Sequence, residues 1–481
     1  MASRLSPLTG AFRQGSEGAK RGDLMRPRVM KRQSFRFGHW SFMFAEVAIW
    51  SFAVLTVTGL FLMVFFDPDM SPVIYEGAYT PLRGIPVSRA FDSTMYLSFE
   101  VRGGLLVRQV HHWAALVFVA AVALQLLRMF VTGAFRRPRV AQWLIWVTLL
   151  PLGMAAGESG NILPDDLLSG GSLWLIQSVL LSIPVVGSYA VHLLFGSEFP
   201  GQSVIPVMYW THALVIPAVI ALLLAAREWL VRRHGHSRFT ASVPGRPAAR
   251  PLMAGTTIGV LTLLGVGAQI APIWLYGPAH PGQTSAGSVP DWYMGFLDGA
   301  LRLMPGWELT LGGYTLSLAV LVPTLVVPGV FFTVLACYPL AERLIVQRLA
   351  RRDTLGRPKT KSRTARDKTG RTTLDRPREA PVKTGIAAAG VTFYGLLWAA
   401  AANDQLALQF HLGLEAVTNV FRLAVVIGPL IAFWLTHRIC RGLQDRDRHT
   451  AEHGPESGVI IQTAQGGFQE REVRPDTKAL T

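Results

Sequence analysis

Hydrophobic positions in this chain fall in long uninterrupted blocks, not at the short intervals of a half-buried helix or strand. Eight blocks are about 20 residues long, enough to cross a bilayer's hydrocarbon as a helix. They run over 40–66, 105–130, 142–163, 205–231, 252–276, 315–338, 385–402 and 417–438. The polar segments between them are of two kinds. Lys and Arg fill the segment before the first block, the strings at 135–139 and 232–238, the stretch 343–383 and the tail from His437. Connections 67–104, 164–204, 277–314 and 403–416 carry few positive charges. The two kinds alternate without exception, so the positive-inside rule predicts both termini in the cytoplasm and four outward loops.

The expected class is therefore an all-α integral membrane protein with eight transmembrane helices, multi-pass in the plasma membrane. Half of the 481 residues are hydrophobic, which agrees. The formal net charge of +16 would suit a nucleic-acid partner if it were spread evenly, but it follows the membrane topology, so no nucleic acid is expected. Two cysteines, Cys337 and Cys440, each close an apolar block on the expected cytoplasmic side, and no Cys-x-x-Cys-His string exists. A disulfide framework and covalent haem attachment are both excluded on that count. Residues 1–38 have no apolar core and no small-residue cleavage site, and read as a basic cytoplasmic tail, not a signal peptide. The predicted organisation continues with a helical bundle over 39–240, two further helices and an outer loop over 250–340, and a basic loop over 341–383. The last two helices fall in 384–440 and a cytoplasmic tail in 441–481.

Chemistry gathers at the outer ends of two spans. His111 stands in Arg108-Gln-Val-His-His-Trp, which opens the second span, and His212 stands in the same relation to the fourth, in Tyr209-Trp-Thr-His-Ala-Leu. Two histidines on two apolar helices can clamp one iron; a histidine alone in a span is more often packed or hydrogen-bonded. The outward loops are long for simple connections, and long loops in compact proteins are usually functional. One holds Pro290-Asp-Trp-Tyr and suits a polar-headed, apolar-tailed ligand; an interfacial aromatic belt would explain the Trp and Tyr but not the Asp.

Several strings together resemble the cytochrome b subunit of the cytochrome bc complexes, most closely the long form of actinobacterial menaquinol–cytochrome c reductases. They are Phe91-Asp-Ser-Thr, Val101-Arg-Gly-Gly-Leu-Leu, Arg108-Gln-Val-His-His-Trp, Leu163-Pro-Asp-Asp-Leu-Leu-Ser-Gly, Glu198-Phe-Pro-Gly-Gln, Pro290-Asp-Trp-Tyr-Met-Gly and Arg376-Pro-Arg-Glu-Ala-Pro-Val. The resemblance covers roughly 36–465. It implies that the first four spans hold two b haems, one above the other, with a quinol-oxidising site outside and a quinone-reducing site inside. It also implies a Rieske iron–sulfur subunit and a cytochrome c subunit as partners, a homodimeric complex, and a cytochrome oxidase as a further candidate partner. Arg108 matches a position that neutralises a haem propionate, or else is a plain interfacial anchor. Asp291 matches a carboxylate that takes a proton from quinol, with a pKa expected to be raised by desolvation; Tyr293 would hydrogen-bond nearby.

The family spacing also exposes a departure. Its second-span histidines lie fourteen residues apart, about four turns and roughly 21 Å. Fourteen beyond His111 stands Gln125, and fifteen beyond His212, the long-form spacing in the fourth span, stands Arg227. Glutamine is a poor iron ligand, and arginine has no lone pair to give. The family's paired glycines, where a porphyrin meets the backbone, read Gly59 and Gly160 at the outer level but Ala45 and Trp146 at the inner level. All four outer positions keep the pattern and all four inner ones depart. One b haem at the outer site is therefore expected, with Gln125, Arg227 and Trp146 as a plug; Arg227 could instead pair with Glu228 or reach the headgroups. His112, one residue from His111, points about 100° away and is not expected to substitute as a ligand. The functional expectation is a quinol–cytochrome c oxidoreductase subunit whose transmembrane electron route is interrupted. The competing expectation is a non-catalytic structural or regulatory paralogue.

Overall fold

The computed structural model describes residues 43–196, 199–234, 249–280, 282–283, 290–353, 374–453, 460–462 and 468–470. The basic tail over 1–38, the middle of the basic loop (354–373) and most of the C-terminal tail lie outside the described residues. Among the described residues, eight helices are long and apolar enough to cross a membrane: Met43–Phe65, Gly104–Thr132, Val140–Ile162, Val204–His234, Arg250–Gly267, Leu318–Ile345, Pro381–Ala400 and Leu414–Thr450. They match the eight predicted spans one for one, and are called the first to eighth spans below.

The boundaries have local causes. Gly103 and Gly133 flank the second span with φ of 77° and 68°, and the Gly133 N–H reaches back to the carbonyls of Met129 and Phe130. That left-handed close is the usual role of glycine just past a helix end. The fifth span stops at Gly267, nine residues short of the expected 276. The following chain is apolar; the Ala268 N–H still bonds back to the Leu264 carbonyl, but the next backbone groups are met from the second span. The Trp113 indole donates to the Ala268 carbonyl at 2.7 Å, and Gln109 bonds both the N–H and the C=O of Ile270 at 2.8 Å. Peptide groups in an apolar setting need partners, and here they are found sideways.

The first four spans form the core. Phe118, Val122, Trp143, Trp146, Leu149 and Ile220 are its buried heart, and Tyr293 joins it from the loop after the fifth span. The first span packs on the second, the second on the third, and the third on the fourth; the fifth lies against the first two, and the seventh and eighth pack on each other. Arg136 bridges Glu342 at 2.8 Å and Asp375 at 2.9 Å, and Lys383 meets Asp375 at 2.7 Å, tying the sixth and seventh spans to the connection after the second.

The loops at the other end are built, not open. Pro72–Ile74 pairs antiparallel with Pro86–Ser88, and a short helix, Arg89–Phe99, follows. Helices Leu167–Leu181 and Gly187–Phe195 fill the connection after the third span, and Glu308–Leu311 pairs with Tyr314–Ser317 before the sixth. Three of these loops are stitched together at Asp165. Its side chain accepts from the Ser88 hydroxyl at 2.6 Å and its carbonyl from the Ala279 N–H at 2.8 Å.

Candidate functional site

Between the first and fourth spans lies a cavity of about 250 Å³ whose lining includes Gly59, Arg108, His111, Gly160, His212 and Asp291. Sequence reasoning named all six, and the fold brings them together. The rings of His111 and His212 are neighbours in an edge-on arrangement, with centres 6.2 Å apart and planes inclined at 64°. Imidazole–metal bonds are about 2 Å long, so two rings joined through one metal have centres about 6 Å apart.

The ring nitrogens are oriented for that use. His111 Nδ1 lies 2.8 Å from the Thr58 hydroxyl, whose own proton goes to the Val54 carbonyl at 2.7 Å. The histidine must therefore be the donor. His212 Nδ1 donates to the Ala156 carbonyl at 2.8 Å. With Nδ1 carrying the proton in both rings, Nε2 keeps its lone pair in both, the arrangement metal-bound histidines usually show.

Glycine is required at Gly160 and only favoured at Gly59. A Cβ on Gly160 would lie 2.8 Å from His212 Nδ1, and one on Gly59 would lie 3.3 Å from His111 Cε1. A side chain at Gly160 would fill the space of the ring. Arg108 lines the same cavity; its Nη2 donates to the Ala271 carbonyl at 3.0 Å, while its Nη1 is buried with no protein partner. A buried cationic donor left unpaired is costly, and an anionic group in the cavity would satisfy it. The two histidine lone pairs and the orphan guanidinium nitrogen fit a porphyrin with carboxylate arms, and the glycines make room for the histidine rings.

Asp291 stands beside this site with a partner that sequence reasoning set aside. His112 Nε2 lies 3.1 Å from both carboxylate oxygens, and the Tyr293 hydroxyl donates to Oδ2 at 2.9 Å. The expected upward shift of the Asp291 pKa is not found. Burial does push it up, but hydrogen bonds from His112 and Tyr293 and the charge of His112 outweigh burial and hold the carboxyl below its usual value. Tyr293 moves the other way, well above the ordinary phenol, through burial first and then the nearby carboxylates of Asp291 and Glu158. Its phenol is packed against Gly157, where a side chain would overlap it. That third glycine, one helical turn before Gly160, was the available sequence signal for this seat.

The opposite end of the bundle has different contents. Trp146 is 1 % exposed and Gln125 is 4 % exposed, with its Oε1 unpartnered. The Arg227 guanidinium lies 5.8 Å from the centre of the Trp146 ring and also meets Glu228 at 2.6 Å, so stacking and pairing, posed as alternatives, coexist. Glu228 in turn takes Arg250 at 2.6 Å, and Arg250 reaches Glu46, beside the buried Ala45, at 3.1 Å. The spacing has a backbone cause as well. Residues Thr211–Val215 form a π-turn around His212. Such a turn takes up one extra residue, so fifteen residues along the fourth span do the angular work of fourteen along the second.

Eight helices long and apolar enough to cross a membrane, with two neighbouring histidines inside the first four, define a multi-pass membrane protein of the b-cytochrome class. A family profile described as "Cytochrome b(N-terminal)/b6/petB" matches residues 116–278. The cytochrome b subunit of the Streptomyces coelicolor cytochrome bc1 complex is 42 % identical over 446 residues, covering 90 % of this chain and 78 % of the relative. The corresponding subunit of Corynebacterium diphtheriae is 42 % identical over 448 residues (90 % and 78 %), and that of Mycobacterium leprae is 43 % identical over 447 (90 % and 77 %). A solved structure titled "Hyperthermophilic respiratory Complex III" shares the fold with a TM-score of 0.55 at 17 % identity, covering 86 % of this chain and 98 % of that one. The chain belongs to the family of cytochrome b subunits of the cytochrome bc1 complex.

Proposed function

We propose that this subunit oxidises quinol, menaquinol by resemblance, at the cavity beside Asp291 and carries a single b haem between His111 and His212. One observation carries the reading. The two rings stand 6.2 Å apart, each with Nδ1 committed to an acceptor, in the same cavity as Asp291 and Tyr293. When bound, the haem supplies a one-electron acceptor. The protein's own part is to seat the substrate and take its protons. Oxidation of a quinol to the quinone breaks two O–H bonds and releases two protons and two electrons. Asp291, held as a carboxylate at neutral pH by its neighbours, accepts a hydroxyl proton. Arg108 would hold an anionic arm of the cofactor through the guanidinium nitrogen that has no protein partner.

The other end of the bundle does not fit a second haem. Gln125 and Arg227 offer no suitable donor, and Trp146 fills the volume. An electron arriving at the His111 level would then face about 20 Å of protein without a relay. The basic segments support a plasma-membrane orientation with both termini inside and the quinol site outward. A Rieske iron–sulfur subunit and a cytochrome c subunit are the proposed electron-accepting partners in a homodimeric complex, with a cytochrome oxidase beyond them.

A second reading, a non-catalytic paralogue that keeps only the fold and its subunit contacts, draws on the filled inner end. The intact Asp291–Tyr293 pair beside an open cavity favours the first. A pyridine haemochrome assay with a redox titration separates them. One b haem per chain, reducible by added quinol, supports the proposal; two haems would refute the single-site reading, and none would leave the scaffold.

A further inference from the structure

His112, next to the candidate ligand His111, points away from His212. That direction is informative. Neighbouring helix positions diverge by about 100°, so the turn that aims His111 at His212 aims His112 at the loop after the fifth span. There it meets Asp291. Its Nε2 sits 3.1 Å from Oδ1 and 3.1 Å from Oδ2, a bridging contact that restrains the plane of the carboxylate. Tyr293 adds a second donor to Oδ2 only. A carboxylate oxygen accepts about two hydrogen bonds, so Oδ2 is filled by the protein while Oδ1 keeps one acceptor position. His112 and Asp291 both line the cavity.

We infer that His112 is a positioning residue for quinol oxidation, holding Asp291 so that Oδ1 is presented to the substrate hydroxyl. The inference rests on the quinol-oxidising reading above. Without the bridge, Asp291 sits on a loop with one remaining donor, free to turn about its side-chain bonds. Misplacement of a reacting group by about 1 Å costs on the order of a hundredfold in rate. The bridge also couples the quinol seat to the helical turn that carries a haem ligand, so the two are set at a fixed separation by adjacent residues.

The test uses the intact complex in its membranes and follows quinol-dependent reduction of the b haem and of cytochrome c. His112→Leu removes the donor and keeps the bulk; His112→Gln keeps an N–H at a similar reach. The expected result is a roughly tenfold to hundredfold lower kcat/KM in the Leu variant, recovery to within about threefold in the Gln variant, and unchanged haem content in both. Asp291→Asn should lose activity, and adding His112→Leu to it should cost nothing more, since both act through one carboxylate. Wild-type rates in the Leu variant would overturn the inference while leaving the Asp291 reading intact. Haem loss in both variants would move His112 to the haem seat and overturn it as well. Full activity of Asp291→Asn, or an inactive parent complex, would bring down the quinol reading itself.

Discussion

Alanine at Gly160 is a small change with a large expected consequence. The added methyl carbon would overlap His212 Cε1 and stand 2.8 Å from Nδ1 and 3.0 Å from Nε2. Non-bonded ring atoms and a methyl carbon rest at about 3.5 Å or more, and Cε1 is the closest, so the ring has to retreat by roughly 1 Å or more. It has little freedom to do so. Its Nδ1 is tied to the Ala156 carbonyl at 2.8 Å, one turn from Gly160 on the same helix. Overpacking of this kind costs about 1–3 kcal/mol, and if cofactor binding bears the cost, affinity falls roughly 5- to 150-fold. Gly59 serves as the internal control. There the new carbon would be 3.3 Å from His111 Cε1, a contact relieved by a few tenths of an ångström. Haem content of the purified variants, by pyridine haemochrome, should therefore drop in Gly160→Ala and stay close to wild type in Gly59→Ala. Full occupancy in Gly160→Ala, or equal losses at both glycines, would refute the idea that the third span is fitted to the His212 ring.

Other outcomes follow from the same geometry. Gln125→His with Arg227→His should bind no second haem while Trp146 remains, and should gain one only when Trp146→Gly and Ala45→Gly are added, as haem-to-protein ratios will report. Arg108→Met removes a buried positive charge from the cavity and should lower the haem midpoint potential in a redox titration. The Asp291 carboxyl is held below its usual pKa, so the stability it contributes is present above about pH 4 and is lost as pH falls through the depressed value; a pH profile of quinol oxidation should show no acid limb from this group near neutrality. Asp165 behaves oppositely: burial, helped by the Asp166 charge and opposed by the Ser88 hydrogen bond, pushes it up to about 6. Its protonated form favours folding at low pH, and that contribution is lost as pH rises through about 6, so Asp165→Asn should raise thermal stability at pH 7, by up to about 3 kcal/mol, and flatten its pH dependence.

Hydropathy made the eight spans legible because a bilayer tolerates no other reading of such blocks. It failed at the end of the fifth span, where apolar composition continued but the partners of the backbone sat on Gln109 and Trp113, far away in sequence. The outer loop architecture was illegible for a similar reason. Short hairpins such as Pro72–Ile74 with Pro86–Ser88 are held by contacts between distant loops, as at Asp165. The positions expected to hold a haem could be named because spacing along a helix converts to depth and direction. His112 was dismissed by the same arithmetic, correctly as a ligand, but the arithmetic knows nothing of what lies opposite the other face. Asp291 was placed in an apolar setting and expected to be a weak acid; the structure supplies two donors that reverse the sign.

The π-turn at Thr211–Val215 has an evolutionary corollary. It works as a one-residue shim: everything from Ile216 onward is rotated back into phase with the second span. Deleting one residue there would leave the His212 end undisturbed and swing Arg227 roughly a quarter of a revolution, parting it from Trp146 and turning its charge toward lipid. Grafts between this subunit and a relative whose fourth helix is regular should therefore be cut on one side of the shim or the other, never through it.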